Sequence, residues 1–208
     1  MVDESELRDF AQRENDYLLS LLLRPKPTPI VEDPQKLAER NCRATANCFG
    51  ESDPLHAMAL NTLAFVHLHK HQDAGIALDL AVKAVGLLRD RSGQEEMLLE
   101  SKCLAVLAKT RMGSATSSAI QEVFQLPVGH LSSSSHVRAA AQSLSEILAS
   151  SVLEHRLKRY LLLMALRDIA MELLRELESS GESEAHDSLQ NSLLNFLEVY
   201  YGAKDESK

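Results

Sequence analysis

Helix-breaking and helix-capping residues recur along this chain at intervals of roughly twenty residues, and this spacing most constrains its fold. The positions are Pro34, Pro54, Gly75, Gly93, Gly113 and the serine run 132–135. Between them, apolar residues return every three or four positions, as on one face of a helix, and do not alternate as in a strand. A repeat of about forty residues with two helices per unit is typical of stacked helical hairpins. The spacing therefore predicts antiparallel helix pairs.

The amino-acid composition favours the same class. Aromatic residues make up 4% of the chain and tryptophan is absent, whereas Leu and Ala are abundant. Leu and Ala are strong helix formers, while sheets favour β-branched and aromatic side chains. Apolar residues at 45% and charged residues at 25% are typical of a folded globular chain. We predict an all-α fold.

The pattern divides the chain into four segments. They are an N-terminal amphipathic helix at 1–24, a Pro-rich linker at 25–33, a helical-repeat domain at 34–202 and a frayed tail at 203–208. Three prolines keep the linker out of a helix, because each removes a backbone donor and fixes φ. The first helix can therefore cap the array or lie in its groove. Its apolar side is formed by Leu7, Phe10, Tyr17, Leu18, Leu21 and Leu22.

Two helix starts carry clear local signals. Asp53 followed by Pro54 combines an N-cap residue with proline at the first helical position, and this helix is predicted to reach His71. Asp73 is predicted to cap the next helix, which extends over 74–89.

Small residues stand where these two helices would touch. They are Ala64, after Leu63, in the first helix and Ala77 and Ala84, seven apart, in the second. A small side chain at a crossing lets helix axes approach to about 8–10 Å. This pattern over 60–89 resembles a tetratricopeptide repeat, although Ala81 stands where that family usually has an aromatic residue. The pair at 94–126 is similar more loosely, with Ala108 and Ala119 at its contacts. The resemblance implies a short right-handed superhelical array of stacked helix pairs.

The resemblance also implies a binding surface. In that family, the first helices of successive pairs line a concave groove that holds a peptide or a partner's helix. The matching residues here are Asn61, Phe65, Leu68, His69, Lys109 and Met112. Phe65 offers the largest rigid apolar area among them. The alternative is that Phe65 and Leu68 are core residues, because helical spacing fits both roles.

The charge balance limits the class of partner. The formal net charge is −8 and the pI is near 5.5. Such a surface repels phosphate backbones and anionic lipids, so we expect neither nucleic-acid nor membrane binding. An acidic rim instead favours a protein partner with a basic or amphipathic segment. The acidic N-terminus is unlike a targeting signal, and three cysteines form no even framework, so we expect a cytoplasmic or nuclear protein.

One dense basic cluster interrupts this acidic character. It consists of Arg156, Lys158 and Arg159. The cluster is a candidate contact for an acidic partner or a phosphate group. The alternative is a solvated helix face whose charge is offset by nearby Glu154 and Asp168.

Metal sites and enzyme motifs are not indicated. His67 and His71 lie one helical turn apart, but no third ligand follows at helical spacing. Cys42 and Cys48 match no metal-ligand or disulfide spacing, and we expect both to be small buried residues. We found no GxSxG elbow, phosphate-binding glycine loop or Rossmann glycines. We therefore expect no metal, no cofactor and no catalytic activity.

These observations favour a non-catalytic interaction scaffold or adaptor that is a subunit of a larger complex. One alternative is a compact helical bundle that forms a structural homo-oligomer through its C-terminal apolar stripe. The stripe residues are Leu189, Leu193, Phe196, Leu197 and Tyr200. A helical enzyme or metal-binding protein with scattered site residues is the third hypothesis.

Overall fold

The computed structural model describes residues 4–22, 33–71, 73–126, 133–154 and 160–202. Across these ranges the chain forms helices and short connections, with no strand, which confirms the all-α class. The helices are α1 Glu4–Leu22, α2 Pro34–Phe49, α3 Pro54–Val66, α4 Ala74–Leu88, α5 Glu95–Arg111, α6 Thr116–Phe124, α7 Ser133–Glu154, α8 Tyr160–Ser180 and α9 Ser183–Gly202.

Aspartate side chains begin three of these helices. Asp33 accepts a hydrogen bond from the backbone N–H of Gln35 at 3.0 Å, and Asp53 accepts one from Leu55 at 2.9 Å. Asp73 caps α4 through the N–H of Ile76 at 3.1 Å. The caps predicted at Asp53 and Asp73 are confirmed, because an N-cap needs only a side-chain acceptor close in sequence to the unsatisfied donors.

The connection after α3 differs from the prediction. The α-helix ends at Val66, and His67–His71 form a π-helical turn where a continuous α-helix to His71 was expected. The N–H of Asp73 then donates to the carbonyl of His67 at 3.1 Å, so the widened turn leads directly to the N-cap of α4.

The chain divides into two compact units, Met1–Ala108 and Lys109–Lys208, and the boundary falls within α5. In the first unit α3 packs against α1, α2 and α4. Every residue of α3 from His56 to Val66 is buried. The predicted contact residues Ala64, Ala77 and Ala84 are fully buried in the α3–α4 pair. Their small side chains allow this close helix approach.

The N-terminal helix belongs to the first unit. α1 packs against α2 and α3, and its buried residues include Ala11, Asn15 and Leu18. It thus covers part of the α2–α3 pair. Of the predicted linker 25–33, only Asp33 lies among the described residues.

The second unit is built from α6 to α9. α7 packs against α6, α8 and α9, and α8 also packs against α6 and α9. Its interior is mainly leucine, including Leu144, Leu148, Leu166, Leu173 and Leu177. Leu189, Leu193 and Phe196 of α9 are buried in the same unit. The C-terminal stripe on which the homo-oligomer hypothesis depended is therefore largely occupied by this unit's own core.

The N-terminus of α6 is capped by a distant side chain. Its N-cap position holds Ala115, which has no side-chain acceptor. The carboxylate of Glu176 on α8 accepts hydrogen bonds from the backbone N–H of Ser117 at 3.0 Å and from the Ser117 hydroxyl. A carboxylate at this end of a helix also interacts favourably with the helix dipole. Glu176 therefore links α6 to α8.

Candidate protein-interaction surface

Helix α1 has two adjacent apolar faces with different surroundings. Ala11 and Leu18 are buried against the rest of the first unit, whereas Leu7, Phe10 and Tyr17 are exposed. Phe10 is 58% exposed and Tyr17 is 54% exposed. At 3.6 residues per turn, positions 7, 10 and 17 fall on one side of the helix. We call Leu7, Phe10 and Tyr17 the α1 stripe.

Arg8 attaches the first half of α1 to the start of α3. Its guanidinium donates hydrogen bonds of 3.2 and 2.9 Å to the two carboxylate oxygens of Asp53. The same guanidinium carbon lies 4.9 Å from the centre of the Phe49 ring. Both contacts suit a planar cation, which pairs with a carboxylate in its plane and stacks on an aromatic face.

The pKa of Asp53 reflects these contacts. Burial alone would raise the pKa of this carboxyl group. The hydrogen bond from Arg8, the one from the Leu55 N–H and the positive charges of Arg8 and Arg91 outweigh burial, so that the pKa is lowered from 3.8. Asp53 is therefore ionised at neutral pH and can hold both Arg8 and the N-terminus of α3.

Asn15 fixes the second half of α1. The hydroxyl of Thr62 on α3 donates to the Asn15 side-chain oxygen at 2.6 Å, and the Asn41 amide on α2 approaches the same oxygen at 3.5 Å. All three side chains are buried. A buried polar group that loses its partner is costly, so these bonds favour one rotation and one register of α1. The exposure of the α1 stripe follows from this register.

The predicted groove residues of α3 lie in the interior. Asn61 is fully buried, and its amide donates to Glu100 Oε1 at 2.9 Å while its oxygen accepts from Ser101 Oγ at 2.9 Å. It therefore joins α3 to α5 and presents no surface to a partner. The resemblance placed Asn61 in a groove, but internal hydrogen bonds satisfy its polar side chain.

Phe65 and Leu68 are also interior residues. Phe65 is 2% exposed and Leu68 is fully buried, so the core alternative describes them and the groove assignment is wrong for both. His69 is partly buried, and its ring centre lies 4.1 Å from that of Phe65. The physical reason for Phe65 is that α3 is enclosed by α1, α2 and α4. Leu68 lies in the π-helical turn after α3, which packs against α3 and α4.

Lys109 and Met112 belong to the second unit. Lys109 forms an ion pair with Glu122 of α6 at 2.9 Å, and Met112 is exposed just beyond the end of α5. Asn61, Phe65 and Leu68 of the first unit are buried, so these three residues offer no exposed groove surface to a partner. The basic cluster of Arg156, Lys158 and Arg159 lies outside the described residues.

The cysteines divide into two environments. Cys42 and Cys103 are buried, and burial raises the pKa of Cys42 to about 12 and also raises that of Cys103. Cys48 is exposed, so the expectation that it is buried was wrong. It follows Cys42 by six positions on α2, which turns it about 120° away from the buried face.

The described residues contain no group of three His, Cys, Asp or Glu side chains placed to hold a metal ion. They also contain no helix long and apolar enough to cross a membrane.

No family model, curated protein or solved structure matches this chain.

Proposed function

We propose that this protein is a non-catalytic interaction scaffold or adaptor, a subunit of a larger complex, and that it holds a protein partner through the α1 stripe. The supporting observation is the exposure of Phe10 and Tyr17 on one side of a helix that buried polar contacts hold in place. Aromatic side chains are enriched in protein interfaces and dominate their binding energy. We place the protein in the cytoplasm or the nucleus.

Four residues outside the α1 stripe attach α1 to its neighbours. Ala11, Asn15 and Leu18 are buried against the rest of the first unit, and Arg8 binds Asp53. Burying the exposed part of an aromatic side chain such as Phe10 stabilises a complex by roughly 1–2 kcal/mol. A partner can therefore gain binding energy from the stripe without displacing α1.

The scaffold proposal includes the tetratricopeptide-like stacking of helix pairs. The buried alanines at the α3–α4 contact support it. Since Phe65 and Leu68 are interior, the proposed binding surface is the outer side of α1 and not a groove along α3.

A pull-down from cell extract with matched variants tests this function. The stripe variant is Phe10→Ser with Tyr17→Ser, and the control variant is Ile76→Ser with Val82→Ser on α4. The control removes two apolar side chains of similar exposure, 45% and 55%, from the same unit. We expect the wild type and the control to recover a protein at stoichiometric level and the stripe variant to lose it. Recovery of no stoichiometric protein by the wild type, or equal recovery by all three, would contradict the proposal.

A further inference from the structure

Together with Glu14, which lies between Phe10 and Tyr17, the α1 stripe has the spacing of a helix-binding seam. Leu7, Phe10, Glu14 and Tyr17 follow one another at intervals of three, four and three, which is the a/d pattern of a coiled coil. They extend over ten residues, or about 15 Å along the helix. A straight apolar ridge of this kind fits the matching ridge of a second helix.

The charges around the stripe are negative. Five carboxylates and two guanidinium groups give α1 a net charge of −3. Arg8 is bound to Asp53, and the Arg13 Nε–H donates to the Asp9 carbonyl. Glu6, Asp9 and Asp16 are exposed. The flanks of the stripe therefore attract a positively charged partner.

Glu14 argues against a second copy of this chain as the occupant. It lies within the stripe and approaches Arg40 only at 3.8 Å, with both side chains partly exposed. Antiparallel pairing of two α1 helices about the middle of the stripe would place each Glu14 carboxylate against Phe10 of the other copy and bury its charge without a partner. Parallel pairing in register would place Glu14 against Glu14, and like charges in a helix seam oppose pairing. A net charge of −8 on each chain adds to this repulsion. The same charge repels anionic lipids and nucleic acids.

We infer that the α1 stripe binds an amphipathic helix of another protein, with apolar residues at three- and four-residue spacing and with Lys or Arg on its flanks, one of them opposite Glu14. This inference rests on the proposed scaffold function and names its partner class. The apolar ridge supplies most of the affinity, while the exposed charges select the partner and speed its association.

A synthetic peptide of about three heptads tests the inference, with Leu at the a and d positions and Lys on the flanks. One matched peptide carries Glu in place of Lys, and another has the same composition with Leu distributed around the helix. Each is titrated into the 208-residue protein by fluorescence anisotropy at low and moderate salt. We expect only the Lys peptide with the ridge to bind, and added salt to weaken it.

The protein variants locate that binding. We expect Phe10→Ser with Tyr17→Ser to weaken the Lys peptide at least tenfold, and Ile76→Ser with Val82→Ser to leave it unchanged. Glu14→Gln should weaken binding about two- to fivefold and reduce its salt dependence, because one exposed charge pair is removed. Equal binding of the Lys peptide to the stripe variant would mean general charge attraction and would overturn the inference.

Other outcomes separate the inference from the function on which it rests. If the Glu peptide binds the stripe as tightly as the Lys peptide, the basic partner is wrong while the stripe remains an interface. A dimer in sedimentation equilibrium that the stripe variant abolishes would make a second copy the occupant. Stripe-dependent cosedimentation with phosphatidylcholine or phosphatidylserine vesicles would make it a lipid surface. Either result overturns the inference.

Discussion

The Asp53 carboxylate accepts two hydrogen bonds from Arg8 of α1, at 3.2 and 2.9 Å. It also accepts a hydrogen bond of 2.9 Å from the backbone N–H of Leu55, and this bond caps α3. One side chain thus starts the most enclosed helix of the first unit and attaches the helix that carries the α1 stripe. Attachment of α1 and formation of α3 are therefore coupled through Asp53.

Replacing Arg8 tests the attachment of α1. We expect Arg8→Ala to lower the free energy of unfolding by at most about 1 kcal/mol, because the Arg8 side chain is 40% exposed. Amide hydrogen exchange should quicken in α1 more than in α4. Asp53→Ala should cost about 1 kcal/mol more, since the α3 cap is lost as well. Arg175→Ala is the control, because its exposed ion pair with Glu172 should contribute little. Equal effects of Arg8→Ala and Arg175→Ala would show that the Arg8 contact does not attach α1.

His56 makes stability depend on pH. Burial, and next the charge of Lys83, lower its pKa from 6.5, against smaller opposite effects of Glu51 and the Cys42 backbone. The unfolded chain therefore binds a proton more readily than the folded chain. The neutral His56 side chain therefore contributes to stability in full above pH 6.5. This contribution falls as the pH drops from 6.5 through the pKa of His56 in the folded chain.

Urea denaturation at several pH values near and below 6.5 measures this dependence. We expect the free energy of unfolding to rise with pH across that window. In His56→Gln the slope should be shallower, whatever the stability of the variant, because the titrating group is gone. His186→Gln is the control, since His186 is on α9 of the other unit. An unchanged slope in His56→Gln would contradict the assignment.

The all-α class and several helix starts were predictable because their signals are local. An aspartate followed by proline, as at Asp53-Pro54, acts on donors within the next turn, so the cap and the helix start needed no tertiary information. The contact residues Ala77 and Ala84 were also predictable, since a small side chain is required wherever two helices lie close together. The π-helical turn at 67–71 had no comparable local signal.

The proposed binding surface was not predictable, because periodicity shows that a helix face is apolar and not whether neighbouring helices cover that face. Phe65 and Phe10 both lie on apolar helix faces, yet neighbouring helices enclose the first and leave the second exposed. The difference depends on Asn15 and Thr62, whose buried hydrogen bond sets the rotation of α1.

The cap that Glu176 supplies to α6 should contribute measurably to stability. We expect Glu176→Ala to lower the free energy of unfolding by about 1.5–3 kcal/mol, because two donors of Ser117 lose a charged acceptor. Glu178→Ala, two positions along on the same helix and exposed, should change it by less than about 0.5 kcal/mol. Chemical denaturation of both variants makes the comparison. Similar losses would show that α6 does not depend on this cap.

Gln125 offers a stabilising substitution. It ends α6 with φ 56°, a left-handed conformation that costs a residue with a Cβ roughly 1–2 kcal/mol. Glycine adopts it freely and is the usual residue at this position. We expect Gln125→Gly to raise the free energy of unfolding by about 1 kcal/mol. Gly181→Ala, at φ 75° with open space around the added methyl group, should lower it by a similar amount. The midpoints of thermal and urea unfolding should therefore shift in opposite directions in the two variants. A loss of stability in Gln125→Gly would mean that the glutamine side chain stabilises the fold by more than the backbone strain costs.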